Sequence, residues 1–388
     1  MRPDAPVPSA FAPGPRIDTA PPRPLHYPGK DPALAVLSER PLVAEVPPHG
    51  LDAPTTPTAG FFVRNNGLVP EPTPDPDAWE IVIDGEVDRP VTITLGALKD
   101  AFPVVTREMV LECGGNGRSA FFPPTKGVPW TNGGVSCAAW TGVRLRDVLE
   151  LAGIRPTARF TAHYGADEGL SSDPALQPLS RGVPIEKALD ESNLLAWAMN
   201  GELLPLLHGF PLRLVIGGWP GSVSTKWLKR IWIRDRVHDG RGMGGTSYRI
   251  PTRPLAPGSR SDGSDFVDLE SMPVRSVITA PVTGARLAAG TRAIPLRGVA
   301  WAGDHTVARV DLSSDNGATW HQAVLAPPRN RYDWQRWHLD LPVMADGYYE
   351  ICARATDSQG IMQPHAAANW NPQGYGANPM HRIAVTVG

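Results

Sequence analysis

The chain lacks three features that would place it in common classes of protein. Its 388 residues include only three cysteines, with no CxxC or CxxCH, so we expect no disulfide framework, no structural zinc and no covalently attached c-type haem. No apolar run approaches the roughly 18 residues that a membrane-spanning helix needs, so we expect no membrane association. A formal net charge of −2 provides no overall basic field, which argues against nucleic acid as a partner.

A secretory leader is also absent from the sequence as written. The N-terminal stretch MRPDAPVPSAFAPGPR has no apolar core of the kind that leaders contain. We therefore expect a cytoplasmic chain as written, and a periplasmic one if a leader has been removed.

Proline is the residue in excess, with 43 in the chain against a usual share of roughly 5%. This composition predicts a loop-rich architecture in which strands are prominent. Residues 1–60 are especially rich in proline and show almost no periodicity, which predicts an arm that lies extended on the rest of the protein or a partly disordered lead-in. The length of the chain predicts two or three domains.

Residues 61–255 mix strand and helix patterns and predict a mixed α+β domain. Residues 79–87 alternate like a strand, and Thr94 is placed to cap a short helix. The sequence TGVRLRDVLELAG is the clearest amphipathic helix, because its apolar residues recur at helical spacing before Gly153 stops it.

The sequence changes character at residues 253–265, RPLAPGSRSDGSD, which predict a linker. Residues 266–388 then carry only strand patterns, including a DNG turn that is typical of a hairpin. Their spacing predicts a second domain that is an immunoglobulin-like β-sandwich.

In the stretch VLECGGNGRSAFFPP, Cys113 lies between an apolar segment that is typical of a strand and a glycine-rich turn. Three interpretations are open: a buried small hydrophobic residue, a nucleophile, or a thiolate ligand to a soft or high-valent metal. The glycines favour the last two, because they remove side-chain bulk around the sulfur. Arg118, five residues further on, is placed to face an anion at the same centre.

ECGGNGR is similar to the ECAGNxR signature of sulfite-oxidase-type molybdenum enzymes. Further similar segments follow the family's order: FFVRNNG (61–67), KGVPWTNGG (126–134), AAWTGVRLRDVL (138–149), AMNGELLPLLHGFPLRLVIGGWPG (198–221) and STKWLKRI (224–231). SSDNGATW and WNPQGYGANPMHRIAV resemble the family's dimerisation domain. The sequence from about residue 60 to 388 is thus identified as a member of the sulfite oxidase family, most similar to bacterial sulfite dehydrogenases.

The resemblance implies a role for ten residues. Cys113 would ligate molybdenum held by a molybdopterin, which is a pyranopterin dithiolene. The substrate pocket would be lined by Arg64, Arg118, Tyr248 and Trp130. The pterin and its phosphate would be held by Asn66, His208, Arg213, Ser224 and Lys226. Asn66 departs from many bacterial members of the family, which have histidine there.

The resemblance also implies a reaction and partners. The expected activity is oxidation of sulfite to sulfate by a homodimer that carries no haem in this chain and passes electrons to a separate acceptor such as a c-type cytochrome. Arginines suit this substrate because their planar forks match oxyanions and stay charged. The alternatives are a sulfane-sulfur dehydrogenase, a molybdopterin reductase of sulfoxide or nitrate, and a non-catalytic binding module.

Overall fold

The structure, a computed structural model, describes residues 23–171 and 177–388. In these ranges the three α-helices are short: α1 (Leu95–Ala101), α2 (Leu145–Ala152) and α3 (Ile185–Ala188). Five 3₁₀ turns cover Pro48–Leu51, Thr58–Gly60, Arg118–Ala120, Leu206–His208 and Gly221–Val223. Strands dominate the rest of the regular structure, so the predicted α+β class is supported only in part. None of the helices described is long and apolar enough to cross a membrane.

Residues 23–60 of the predicted arm lie on the first domain and contain regular structure. Three strands form a small sheet in the order β1 (Ala35–Glu39), β2 (Leu42–Glu45) and β3 (Val63–Arg64). Leu34 and Leu51 are fully buried in the same apolar cluster as Trp130. Residues 23–60 thus contain two short strands that the sequence pattern did not predict, while residues 1–22 lie outside the described residues, and the arm stays a prediction.

Two sheets form the centre of the first domain. Their strands in chain order are β4 (Glu80–Gly85), β5 (Val91–Thr94), β6 (Val105–Glu112), β7 (Val135–Arg144), β8 (Phe160–Gly165), β9 (Leu194–Met199), β10 (Glu202–Leu203), β11 (Arg213–Val215) and β12 (Leu228–Arg234). One sheet has the order β5-β4-β12-β8, and the other has β10-β9-β7-β6 with β11 also paired to β9. Parallel pairing of β4 with β12 brings distant parts of the sequence together.

The local signals for the first two helices are confirmed. Thr94 Oγ1 accepts a hydrogen bond from Ala97 N at 3.2 Å, which caps α1. The four apolar positions of α2 are buried, and Gly153 follows with φ of +72°, a conformation that glycine adopts without strain. Both helices therefore form where the side-chain pattern predicts them.

Two further strands bracket the predicted linker. β13 (Arg249–Pro251) and β14 (Phe266–Asp268) pair antiparallel, and Thr252 N donates to Asp265 O at 2.9 Å. The Pro/Gly/Ser-rich segment is thus the connection of a two-stranded ribbon. Its role as a domain boundary stays a prediction.

The C-terminal region consists of strands, as predicted. In chain order they are β15 (Arg275–Ala280), β16 (Ala285–Leu287), β17 (Ala293–Trp301), β18 (Val307–Ser313), β19 (His321–Gln322), β20 (Val324–Leu325), β21 (Gln335–Pro342), β22 (Gly347–Asp357) and β23 (His381–Val387). They form two sheets, β15-β17-β21-β20 and β16-β23-β22-β18-β19, around one apolar cluster. The immunoglobulin type of this arrangement stays a prediction.

Candidate active site

The turn after β6 has the geometry that its glycines predict. Cys113 N donates to Gly134 O and Asn116 N donates to Cys113 O, both at 2.8 Å. Gly117 has φ of +80°, and a Cβ on Gly115 would collide with the guanidinium of Arg118. The turn therefore holds the thiol of Cys113 through backbone hydrogen bonds, with the residue only partly buried.

The residue before the thiol anchors this turn to the C-terminal domain. Glu112 is buried, and its Oε1 lies 3.0 Å from Arg275 Nε and 2.8 Å from Asn116 Nδ2. Trp301 Nε1 donates to Glu112 Oε2 at 2.6 Å. Two side chains of the second domain thus fix the position of a turn in the first.

Cys113 opens into a cavity that is continuous with solvent. Eight of the ten predicted site residues line it: Arg64, Asn66, Cys113, His208, Arg213, Ser224, Lys226 and Tyr248. They come from the end of β3, the turn after β6, the segment from the Leu206–His208 turn to β12, and the approach to β13. Residues distant in the sequence therefore meet at one site.

Two residues on the wall have an uncommon backbone conformation. Trp227 and Tyr248 have φ of +50° and +51°, although neither is glycine. Large side chains adopt this region only when surrounding structure enforces it, and such positions concentrate at functional sites. Both side chains line the cavity.

Arg213 is buried at the cavity without a carboxylate partner among the described residues. Its Nη1 donates to His208 O at 3.0 Å, its Nη2 donates to Ser224 O at 3.1 Å, and its guanidinium lies 4.8 Å from the centre of the Trp140 ring. Burial lowers the pKa of Arg213 to about 9. A buried cation in this state is costly unless an anion compensates it.

Lys226 and His208 line the cavity together with Arg213. Lys226 Nζ donates to Asn65 Oδ1 and, at 2.8 Å, to Leu207 O. Burial, followed by the charge of Arg213, holds the pKa of Lys226 well below its usual value, while Asp167 acts in the opposite direction. Burial and the surrounding cations also hold the pKa of His208 well below its usual value, so this imidazole is neutral.

The residues present fit an anionic, metal-bearing cofactor. Arg213 and Lys226 line the cavity, and neither side chain forms a salt bridge within the described ranges. The buried Asn65 Nδ2 also has no hydrogen-bond partner among the described residues. The described residues also contain no group of three His, Cys, Asp or Glu able to hold a metal ion. A metal at Cys113 would therefore need further ligands from its own cofactor, as a dithiolene provides.

A stack of four side chains forms the other side of the site. Arg181 lies 4.5 Å from the Tyr248 ring, Tyr248 stacks on Tyr375 at 4.7 Å, and Arg118 lies 5.2 Å from the Tyr375 ring. Arg181 is buried and donates to the Oγ of Ser222, which lines the cavity, at 3.0 Å. Tyr375 comes from the C-terminal domain, so both domains contribute to this side.

Arg118 and Trp130 do not line the cavity, unlike the other eight residues. Arg118 Nε donates to Gln373 O at 2.9 Å and its Nη1 donates to Val128 O at 2.8 Å, so it supports the stack. Trp130 is fully buried behind Phe62, which lines the cavity, with the ring centres 6.0 Å apart. Its Nε1 has no hydrogen-bond partner in the described part of the chain.

Sequence reasoning missed four residues of this region: Lys30, Asp167, Arg181 and Tyr375. Tyr375 lies in WNPQGYGANP, a segment that the resemblance had already marked, so a signal for it existed. Asp167 lines the cavity two residues after β8, and burial raises its pKa. Lys30 and Arg181 sit in segments without a motif, and only the fold shows where they lie.

Comparison with known proteins agrees with this architecture. Residues 67–241 match the family described as oxidoreductase molybdopterin binding domain, and residues 268–388 match the Mo-co oxidoreductase dimerisation domain. The sulfite oxidase of Gallus gallus is 35% identical over 373 residues, which cover 92% of this chain and 78% of that protein. The mitochondrial sulfite oxidase of Homo sapiens is 34% identical over 390 residues, covering 96% and 69%.

A solved structure is similar over the whole chain. The sulfane dehydrogenase SoxCD from Paracoccus pantotrophus superposes with a TM-score of 0.74 at 26% identity, covering 100% of this chain and 97% of that one. The thiol-bearing cavity and these matches define a molybdopterin-dependent oxidoreductase. The chain belongs to the sulfite oxidase family of these enzymes, as the motifs predicted, and its dimerisation domain supports a homodimer.

Proposed function

We propose that this enzyme oxidises sulfite to sulfate. In the balanced reaction, sulfite and water give sulfate, two protons and two electrons, and two one-electron acceptors are reduced. The sulfite oxidases that this chain resembles at 34–35% identity support the proposal. The observation that carries it is that Cys113 opens into the same cavity as Arg64, Arg213 and Lys226.

When bound with its metal at Cys113, a molybdopterin would supply oxygen-atom transfer and two-electron redox chemistry. Arg213, Lys226 and Ser224 surround the part of the cavity suited to its phosphate, because they present two cations and a hydroxyl to an anion. Arg64 binds the oxyanion substrate on the side of Tyr248, whose hydroxyl donates to it. Arg118 holds Tyr375 against Tyr248, and Trp130 packs behind the wall.

We assign electron transfer to a separate acceptor, with a c-type cytochrome as the expected partner of the homodimer. The balanced reaction releases two electrons per sulfite, which two molecules of a one-electron acceptor would take up.

A second candidate is oxidation of sulfane sulfur. It is supported by the similarity to SoxCD over the whole chain. Both reactions use an anionic sulfur substrate, so the cationic cavity suits either. Reduction of nitrate has weaker support, because the NADH nitrate reductase 1 of Oryza sativa is 31% identical over 90% of this chain and 40% of that protein. No observation on the described residues favours reduction of a sulfoxide or a non-catalytic role.

Metal analysis followed by a substrate panel tests these proposals. Protein made in a host that produces molybdopterin should contain about one molybdenum per chain, whereas a binding module would contain none. Steady-state rates should then be compared for sulfite, thiosulfate and a sulfoxide, with ferricyanide as oxidant for the first two. Negligible sulfite oxidation by molybdenum-loaded protein would overturn the first candidate, and turnover of thiosulfate would then favour the second.

Cys113→Ser provides a sharper test of the metal ligand. We expect sulfite turnover to fall below detection, because serine removes the thiolate, while the thermal midpoint changes little. The turn is held by backbone hydrogen bonds and its thiol is only partly buried, so folding does not depend on the sulfur. Cys352→Ser, which changes a thiol in β22, is the matched control for activity. Turnover that survives Cys113→Ser would contradict the assignment.

A further inference from the structure

Lys30 contacts His208, one of the residues that line the cavity. Its Nζ lies 2.7 Å from Phe61 O, 3.0 Å from Thr58 O and 3.0 Å from His208 Nε2. A lysine ammonium has three N–H donors and no lone pair. Two donors point to carbonyl oxygens, so the third points to Nε2 of the imidazole, which must accept it.

This contact determines where the neutral ring of His208 carries its proton. If Nε2 accepts from Lys30, the ring proton is on Nδ1. Nδ1 has no protein hydrogen-bond partner within the described ranges, and the residue lines the cavity. The edge of Phe61 packs on the ring with centres 5.2 Å apart, and the nearby charges are those of Lys30, Lys226 and Arg213. Nδ1–H is therefore available to an acceptor in the cavity.

We propose that Lys30 is a positioning residue for the cofactor: it fixes the His208 tautomer that donates Nδ1–H to an anionic group of the bound molybdopterin. The inference rests on the proposed function of the cavity. It gives residues 23–60 a specific task, because this segment supplies a cation that no motif marks. It also explains why the ammonium of Lys30 is buried beside the imidazole of His208, which is neutral and cannot form an ion pair with it.

Loss of the Lys30 proton would reverse the arrangement. A neutral amine has a lone pair and accepts from Nε2–H, which would leave the Nδ1 lone pair facing the anion. Burial lowers the pKa of Lys30 to about 7, so the cofactor-free protein is close to this change at neutral pH. An anion in the cavity favours the charged amine and hence the donating tautomer.

The tautomer is measured directly on protein that lacks the cofactor. Ring-¹⁵N-labelled wild type, Lys30→Met, Lys30→Arg and Lys99→Met are made in a host that cannot synthesise molybdopterin, and the His208 signals are assigned with His208→Gln. At pH 6 the wild type and Lys99→Met should show the proton on Nδ1, and Lys30→Met should move it toward Nε2. A wild-type ring protonated on Nε2, or no change in Lys30→Met, would overturn the proposal.

Cofactor retention tests the consequence. The same variants from a molybdopterin-producing host are dialysed, and molybdenum and oxidised-pterin fluorescence are followed per chain. Lys30→Met should lose pterin about tenfold faster than wild type, as expected for one charge-supported hydrogen bond, with Lys30→Arg intermediate and Lys99→Met unchanged. Equal loss rates in Lys30→Met and wild type would overturn the inference, whereas wild type without molybdenum would overturn the proposed function.

Discussion

Arg213 and Arg275 are both buried arginines, yet their surroundings differ in one respect. Arg275 lies 3.0 Å from the carboxylate of Glu112, whereas Arg213 contacts only main-chain oxygens and the face of Trp140. Burial lowers the pKa of each, but for Arg275 the charge of Glu112 opposes that shift. One arginine completes an ion pair inside the protein, and the other has a charge left for a ligand.

The comparison separates structural from ligand-binding arginines by their partners and not by their burial. Removal of one member of a buried ion pair leaves the other charge buried without a partner. Removal of an unpaired cation leaves no such charge. The two sites should therefore respond differently to the same substitution.

The largest difference is expected between Arg275→Met and Arg213→Met in cofactor-free protein. Arg275→Met should lower the free energy of unfolding by about 3–5 kcal/mol, because Glu112 stays buried without its partner. Arg213→Met should cost about 1–2 kcal/mol, since it removes hydrogen bonds to His208 O and Ser224 O. Urea unfolding of both variants measures this, and equal losses would refute the distinction.

A second change should recover part of the loss at Arg275. Glu112→Gln combined with Arg275→Met leaves no charge buried, and the amide keeps hydrogen-bonding groups for Asn116 and Trp301. We expect the double variant to be about 1–3 kcal/mol more stable than Arg275→Met alone. The measurement is the same urea unfolding, and strictly additive losses would show that no charge was stranded.

Sulfate should bind near Arg213, which has no carboxylate partner, and should not bind near the paired Arg275. At about 100 times its Kd, an anion that binds only the folded state stabilises it by about 2.7 kcal/mol. We expect sulfate to raise the thermal midpoint of cofactor-free wild type and of Lys99→Met, but much less that of Arg213→Met. Sodium chloride at equal ionic strength is the control, and an undiminished sulfate effect in Arg213→Met would place the anion elsewhere.

The smallest expected effect is the dependence of this stabilisation on pH. Lys30 has a pKa of about 7 in the folded protein and 10.5 ordinarily, so between these values the unfolded chain binds a proton that the folded chain lacks. Stability without sulfate should therefore rise above pH 7. Sulfate raises the pKa of Lys30 and is bound with uptake of a proton, so its stabilisation should decrease from pH 6.5 to 8.5.

Thermal midpoints at the two pH values, with and without sulfate, measure this dependence. Lys30→Met should reduce the difference between them. If Lys30→Met had the same pH dependence as wild type, another group would be responsible.

Local patterns predicted much of the fold and most of the candidate site. The pattern of α2, the alternation in the C-terminal strands and the glycine turn after β6 each depend on neighbours a few residues apart. The motifs also marked eight residues that do line one cavity. Lys30 and Arg181 could not be predicted in this way, since their partners His208 and Tyr248 are brought to them only by the tertiary fold.

Arg118 and residues 23–60 also show that local sequence does not reveal contacts made by distant parts of the chain. Arg118 was marked by its motif, but whether it faces the cavity or the Tyr375 ring depends on a segment of the other domain. Residues 23–60 have no periodicity, because their strands are short and their burial comes from the domain on which they lie.

The attachment of Glu112 to Arg275 and Trp301 limits how this enzyme can be divided. A fragment ending near residue 268 would retain every residue named as a cofactor ligand. Its Glu112 carboxylate would nevertheless lose Arg275 and Trp301, its two partners from the C-terminal domain. The first domain is consequently not an exchangeable module. Recombination between relatives that swaps one domain should succeed only when the acidic residue and its two distant partners are inherited together.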